Sequence, residues 1–402
     1  MRRKFKQVSR LSGARPSLAG ALIFTALMAL ITFILIIFRE IAFRNPALAD
    51  YYSGRIFPSL ATFWSWPVSQ FRFSLTEFTV LIGTPVLLLI LVLSLIRLFR
   101  KGRTHRLRRF FRSFLVTLGL VFLMLSLFLI FHGLNYARSP LAGRLGLELR
   151  DHSVDELEQG VRRLARAAVQ ARRELDETPE GLPDIGSLDG LWREAFAGWD
   201  QAESTWPALQ SSVRARPKGV LLSHYWSYTR IVGLYMPLLV EPNVNIDQPG
   251  FMIPASAAHE IAHSRGLASE GDAEFAGFLS CVSHPDPIWR YSGLISAWKS
   301  ASYKLWQEDP DAWSLAYREE LSGEVIRDLQ AETAYWKAFE TPVADFSEKV
   351  NDSYLKVNKE KEGVKSYGHV VDLLLAWLDT PQASDFLDRD LDLHQTGLTI
   401  GQ

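Results

Sequence analysis

Three runs of apolar residues stand out in the first third of the chain. They cover residues 18–38, 78–96 and 114–131, and none of them contains a charged side chain. A helix of about 20 apolar residues spans the hydrocarbon core of a bilayer. Pro85, in the second run, is compatible with a spanning helix because neighbouring helices or water can satisfy the carbonyl that it frees. The pattern therefore predicts three transmembrane helices within a membrane domain of residues 1–137.

The pattern changes after residue 138, where apolar residues recur at helical spacing between charged ones. An apolar position every three or four residues indicates a helix with one buried face. Such spacing predicts helices over residues 151–178, 287–306, 310–339 and 347–378. The acid-rich residues 179–190, which include proline and glycine, are predicted to form a surface loop.

Strand-like composition is confined to the middle of this second domain. β-branched and aromatic residues in 221–239 favour one or two strands. Asn243–Ile246 is a candidate edge strand beside the site described below. We therefore predict a mainly α chain, in which three N-terminal transmembrane helices precede an α+β domain of residues 138–402 with a small sheet.

Basic residues are concentrated before residue 138. Residues 1–137 hold 18 Lys and Arg against 3 Asp and Glu, whereas residues 138–402 hold 26 against 41. The basic residues flank the apolar runs at the N-terminus and between the second and third runs, and such flanks remain in the cytoplasm. This predicts a multi-pass protein of the cell membrane, with its N-terminus in the cytoplasm and residues 138–402 outside it. The juxtamembrane position accounts for the basic loop, so the bilayer is the predicted partner and nucleic acid is not.

The segment after the first run leaves two questions open. Ala47-Leu48-Ala49 resembles a signal-peptide cleavage site, although the first run is long for a signal core and charged residues intervene. Phe63, Trp64, Trp66 and Phe71 suit an aromatic belt at the outer bilayer interface. A hydrophobic packing surface would use the same residues.

The candidate chemistry centres on His259-Glu260-Ile-Ala-His263, an HExxH pattern. On a helix, residues i and i+4 share a face, so both imidazoles can reach one metal ion. Glu260 then falls beside the metal, where it can act as the general base towards a water. Pro254 suits the first turn of this helix, and Gly266 suits a left-handed residue at its end.

A second helix, Glu270–Val282, is predicted directly after this turn. Ser269 is its candidate N-cap, and Asp272 would complete a capping box. We favour Glu270 as the third metal ligand, because a first-turn residue just past a tight reversal can reach back to the ion. Asp272 remains the alternative ligand. Glu274 is predicted to hold a ligand histidine through its other ring nitrogen.

The predicted ion is Zn²⁺, which takes three protein ligands in catalytic sites and leaves one position open. Metzincins place their third ligand three residues after the glycine, where this chain has Ser269, a poor zinc ligand. Tyr367 and His369 are candidate donors to the oxyanion of a tetrahedral intermediate, and Tyr235 is a further possibility. The single cysteine, Cys281, is predicted to be a buried packing residue.

Several segments of the chain resemble a family of uncharacterised bacterial membrane proteins, grouped as a domain of unknown function and regarded as candidate zinc peptidases. The resemblance rests on His132-Gly-Leu-Asn-Tyr136, Gly233-Leu-Tyr-Met-Pro237, Glu241-Pro-Asn-Val-Asn245, Ile253-Pro254, His259–Gly266, Glu270–Phe275, Asp352–Lys356 and Glu362–Gly368. It implies a common fold and a zinc site in a bacterial membrane protein, but no known substrate.

These observations predict a membrane-anchored zinc metallopeptidase with a zincin-like domain that cuts a peptide or protein substrate outside the cytoplasm. The alternative is a non-catalytic zinc-binding membrane sensor or scaffold. Glu260 argues against that alternative, because a purely structural zinc site has no need of a base. A structural membrane protein without metal would leave the clustered histidines and acids unexplained. Cleavage within the membrane is disfavoured because Ser264 and Arg265 interrupt any apolar span at the motif.

Overall fold

The computed structural model describes residues 18–99, 106–358 and 369–387. Its contacts divide the chain into two compact units, Met1–Ile41 with Phe78–Ile130 and Ala42–Glu77 with Phe131–Gln402. Residues 42–77 and 131–137, which the sequence analysis assigned to the membrane domain, thus pack in the same unit as the HExxH motif.

Most of the described chain is helical, and the prediction of a mainly α protein with a small sheet is confirmed. The longer helices are α1 (Leu18–Arg44), α2 (Phe57–Ser69), α3 (Thr84–Phe99), α4 (Arg106–Phe128), α5 (Val154–Arg173), α6 (Ile253–Ser264), α7 (Glu270–Val282), α8 (Pro287–Glu308), α9 (Pro310–Glu320), α10 (Gly323–Lys337), α11 (Pro342–Val357) and α12 (His369–Leu378). Shorter α-helical segments are Pro46–Tyr51, Leu75–Phe78, Leu141–Leu145, Leu188–Glu194, Ala197–Thr205, Ser223–Ser227 and Pro381–Leu387. Wider π-helical turns cover Tyr52–Ile56, Thr79–Gly83 and Leu129–Gly133, and tighter 3-10 turns cover Asn135–Ala137, Pro207–Leu209 and Gly250–Met252.

Three helical stretches are long and apolar enough to cross a membrane, as the sequence predicted. They are Leu18–Arg44, Leu75–Leu93 and Leu107–Ala137. Within the first unit, hydroxyl groups join α1 to α4. Thr25 Oγ1 donates to the Leu115 carbonyl at 2.6 Å, and Thr32 Oγ1 lies 2.9 Å from Ser126 Oγ. Small polar side chains of this kind hold apolar helices together where the hydrophobic effect cannot.

The core of the second unit is built around α5 and α8. Helix α5 begins at Ser153, whose side chain forms a reciprocal capping box with Glu156. Its apolar face is buried against α8 and neighbouring helices. A buried polar cluster ties these helices to α10, because Arg172 Nε and Tyr291 Oη each donate to Asp328 at 2.7 Å.

The sheet has three strands, β1 (Lys218–Val220), β2 (Gly233–Met236) and β3 (Glu241–Asn245). The strand order is β1-β3-β2, with β3 parallel to β1 and antiparallel to β2. The prediction of Asn243–Ile246 as the edge strand is therefore wrong, since β3 is hydrogen-bonded on both sides and every residue in it is buried. The edge strands are β1 and β2.

The predicted helix, sharp turn and helix are present as α6 and α7. Gly266 has a φ of 89°, in the left-handed region that favours glycine. Its N–H bonds to the His263 carbonyl, and the Leu267 N–H bonds to the Ala262 carbonyl at 3.2 Å, which together form a Schellman ending. The predicted capping box is wrong. Ser269 occupies the N-cap position without a side-chain capping bond, and the Asp272 carboxylate accepts the Leu141 N–H at 3.0 Å instead of the backbone N–H of Ser269.

Candidate metal centre

Helix α6 and the first residue of α7 bring three potential ligands together. His259 and His263 lie one turn apart, and their Nε2 atoms are 3.0 Å from each other. Glu270 Oε2 lies 3.3 Å from His259 Nε2 and 3.7 Å from His263 Nε2. One ligand atom from each residue falls within 4.8 Å of the others, so this group could hold a metal ion.

The spacing and orientation of these atoms fit a small divalent cation. Tetrahedral coordination with bonds of about 2.0–2.1 Å places ligand atoms about 3.3 Å apart, and the three separations scatter around that value. His263 Nδ1 is 2.7 Å from the Leu267 carbonyl, which can only accept, so Nδ1 carries the proton. This bond leaves His263 Nε2 as the ring nitrogen that faces Glu270 and His259, which is how metal-ligating histidines are oriented.

Glu260 is held next to these ligands by strand β2. Its side chain is buried, and its carboxylate accepts a hydrogen bond from the backbone N–H of Tyr235. A Cβ added to Gly233 would lie 2.5 Å from Glu260 Oε1, so the carboxylate rests directly on the strand backbone. The other oxygen, Oε2, is buried without a hydrogen bond from any described residue. Such an orphaned acceptor suits a water or a substrate group beside a metal.

The electrostatics of the site follow from burial and close opposite charges. Burial opposes a charge on His259, but its hydrogen bond to Glu270 and nearby carboxylates outweigh this effect and raise its pKa to about 9. Burial likewise opposes ionisation of Glu270, yet the charge of His263 and hydrogen bonds from both histidines hold its pKa well below the usual range. Burial dominates at Glu260 and raises the pKa of its carboxyl above the usual range.

The three ligands and Glu260 open into a cavity of about 910 Å³. Residues 229–235, which include most of strand β2, form one wall, while α8 and α11 contribute Ser300 and Asn351 from other sides. His132 lines the cavity close to the ligands, with its ring centroid 5.5 Å from that of His263. A volume of this size accommodates a ligand of several residues.

The other acids of α7 face different surroundings. Asp272 is engaged with the Leu141 N–H, and burial raises its pKa. Glu274 lines the cavity, where Ser300 Oγ donates to its Oε1 at 3.5 Å, and its charge acts on His259. The role of Glu274 in holding a ligand histidine stays a prediction. The ring of His263 is held by the Leu267 carbonyl through Nδ1.

The three candidate oxyanion donors have different positions. Tyr235 lines the cavity, but its hydroxyl donates to the Phe131 carbonyl at 3.0 Å. His369 begins α12 with Nδ1 3.9 Å from Asp372 Oδ2, and it is not among the described residues that line the cavity. Tyr367 lies outside the described residues.

Two contributors to the site received no role from the sequence analysis. His132 was noticed only as part of a family-like segment, and its position directly after an apolar run was the available signal. The Leu267 carbonyl carries no signal in the sequence, because a backbone acceptor looks the same at every residue. Gly266 predicts the turn but not the direction of that carbonyl.

A sequence model of one protein family matches residues 52–375 of the chain, and the family is described as "Protein of unknown function (DUF3810)". The matched range includes the segment between the first two apolar helices, the sheet, and helices α6 and α7. No curated protein and no solved structure matches the chain.

Proposed function

The chain belongs to the DUF3810 family, whose description leaves its function open, and we propose that the protein is a membrane-anchored zinc metallopeptidase. The observation that carries the proposal is the buried, unsatisfied Oε2 of Glu260 beside the group of His259, His263 and Glu270. A structural metal site has no use for such a carboxylate, whereas a hydrolytic site needs a base at this position.

Zinc is the ion that best suits the donor set. Two imidazole nitrogens and one carboxylate oxygen are the ligands of several catalytic zinc sites, and they leave one position open. Harder ions such as Mg²⁺ and Ca²⁺ prefer all-oxygen sites. A zinc ion bound here supplies Lewis acid chemistry, which polarises a carbonyl and lowers the pKa of a water towards neutrality.

Residues of the chain would carry out the proton transfers and bind the substrate during peptide hydrolysis. Glu260 Oε2 accepts a proton from the attacking water, whose oxygen adds to the scissile carbonyl carbon. Glu260 then returns this proton to the leaving amine as the C–N bond breaks. The free edge of β2 offers backbone hydrogen bonds to an extended substrate, which would lie across the cavity. Tyr367 and His369 stay candidate donors to the developing oxyanion.

Topology and fold complete the proposal. The basic flanks of the three apolar helices favour a site outside the cytoplasm. A zincin-like arrangement is supported by α6, the turn at Gly266, α7 and the adjacent edge strand β2. The peptide or protein substrate would be met on that side of a bacterial cell membrane.

The test uses the full-length protein in lipid nanodiscs. Bound metal is measured by mass spectrometry, and a peptide library is incubated with wild type, Glu260→Gln and Glu324→Gln, an exposed control outside the cavity. We expect one zinc per chain in all three proteins. Cleavage should disappear in Glu260→Gln and persist in the control.

Other outcomes separate the alternatives. One zinc per chain with no cleavage by wild type would favour the zinc-binding sensor or scaffold. Absence of zinc after purification in zinc-supplemented buffer would refute both functions. Equal cleavage by wild type and Glu260→Gln would remove Glu260 from its assigned role.

A further inference from the structure

The residue that directly follows the third apolar run lines the metal cavity. His132 lies within the span-length stretch Leu107–Ala137, and it is 4% exposed. Its ring centroid is 5.4 Å from that of Tyr235 and 5.5 Å from that of His263. The preceding residue, Phe131, accepts the Tyr235 hydroxyl through its carbonyl. One residue of a candidate membrane span, His132, therefore lines the proposed catalytic cavity.

Helix α2 adds an exposed aromatic face next to Phe131. Trp64 stacks on Phe131 with ring centroids 5.6 Å apart, and its Nε1 donates to the Leu238 carbonyl just after β2. On the same helix, Phe63 is 78% exposed and Trp66 is 68% exposed. Large exposed rings at the ends of apolar helices are typical of the headgroup layer of a bilayer.

Helix α11, which also lines the cavity, carries exposed apolar side chains. Helix α11 turns Ser347 and Asn351 towards the cavity, while Val343, Phe346 and Val357 are more than half exposed. Exposed apolar side chains that share one helix face are unfavourable in water. Such a face marks an interaction surface. Helices α2 and α11 therefore both present exposed side chains suited to a lipid interface.

We infer that the substrate of this site is the juxtamembrane segment of a membrane-anchored polypeptide, cut close to its hydrophobic anchor at the outer bilayer surface. The inference rests on the proposed peptidase function. A polypeptide anchored in the same bilayer would present its first extracytoplasmic residues at the level of His132 and the α2 rings. Extended, these residues could pair with the edge of β2. Anchoring also raises the effective substrate concentration, without any new contact to the enzyme.

The test compares one randomised segment in two formats, as free peptides and fused to a transmembrane helix through Gly/Ser spacers of increasing length. Full-length enzyme and anchored substrates share the same proteoliposomes. We expect anchored substrates with the shortest spacers to be cut about tenfold faster or more than free peptides at matched concentration. The rate should fall as the spacer moves the segment away from the bilayer.

Variants of exposed aromatic residues distinguish an effect on the lipid-facing surface from an effect on peptide hydrolysis itself. Phe63→Ser with Trp66→Ser should slow cleavage of anchored substrates and leave kcat/KM for free peptides unchanged. Tyr303→Ser with Trp306→Ser, which removes exposed rings from α8 outside the cavity, is the matched control and should change neither. Equal effects of both pairs on anchored substrates would refute the assigned surface.

The two proposals fail differently. Cleavage of free peptides that equals cleavage of anchored ones at every spacer length would overturn the substrate class and leave the peptidase intact. No cleavage in either format would overturn the peptidase and this inference with it.

Discussion

Replacing Gly233 by alanine tests whether strand β2 positions Glu260, the proposed general base. The added Cβ would lie 2.5 Å from Glu260 Oε1 and 2.7 Å from Glu260 Cγ, whereas ordinary contacts begin near 3.4 Å. The carboxylate must therefore retreat by about 1 Å, a displacement of the kind that costs about 100-fold in rate. It would also weaken the hydrogen bond from the Tyr235 N–H.

The expected effect is on kcat rather than on metal binding. A 100-fold loss corresponds to about 2.7 kcal/mol of transition-state stabilisation. Because Glu260 is not among the three potential ligands, Gly233→Ala should keep one zinc per chain. Steady-state kinetics on a peptide found by the library screen, together with metal analysis, measure both quantities.

A second alanine variant controls for the general effect of the substitution. A Cβ on Gly323 at the start of α10 would meet no atom within 4 Å, so Gly323→Ala should behave as wild type. A kcat of Gly233→Ala within twofold of wild type would refute the positioning role of β2. Loss of zinc would show that the variant had disturbed the ligands instead.

Three further predictions concern the ligands, their protons and the sheet. Glu270→Ala should lose zinc and Asp272→Ala should keep it, as measured by metal analysis; the reverse pattern would exchange their roles. Since a ligand imidazole must be unprotonated and the pKa of His259 is raised to about 9, apparent zinc affinity should rise with pH by up to about tenfold per unit and level off near pH 9. A pH-independent affinity in calorimetric titrations would contradict this coupling. Lys218→Met should lower the free energy of unfolding by about 3–5 kcal/mol, because it leaves the Glu241 carboxylate buried without its cation; an unchanged denaturation midpoint would refute the estimate.

The helical parts of the site could be predicted from the sequence because their signals are local. Pro254 and Gly266 mark the start and end of α6, and the i, i+4 spacing of His259 and His263 fixes their common face. The choice of Glu270 over Asp272 was harder. The two residues are separated by about 200° around α7, so they face opposite ways, but the sequence does not say which side faces the metal.

The order of the strands in the sheet could not be predicted either, because it depends on contacts between segments that are distant in sequence. Strands β2 and β3 are both short, and apolar alternation reports burial rather than the identity of neighbours. Their assignment depends on non-local contacts, such as the 2.5 Å ion pair between Lys218 and Glu241. Glu241 also accepts the Thr76 N–H at 2.7 Å, which ties the sheet to the first residues of the stretch Leu75–Leu93.

The interleaving of the chain in the second unit has a consequence for biosynthesis. Ser53 bonds to Asn135, and Gly266 packs against Phe57, so the turn that orients His263 rests on residues made before the second and third apolar helices. Chains are synthesised from the N-terminus, and contacts between distant segments form late. The metal ligands can therefore reach their final geometry only after all three apolar helices have left the ribosome. The nascent chain thus completes all three apolar helices before the proposed site can assemble.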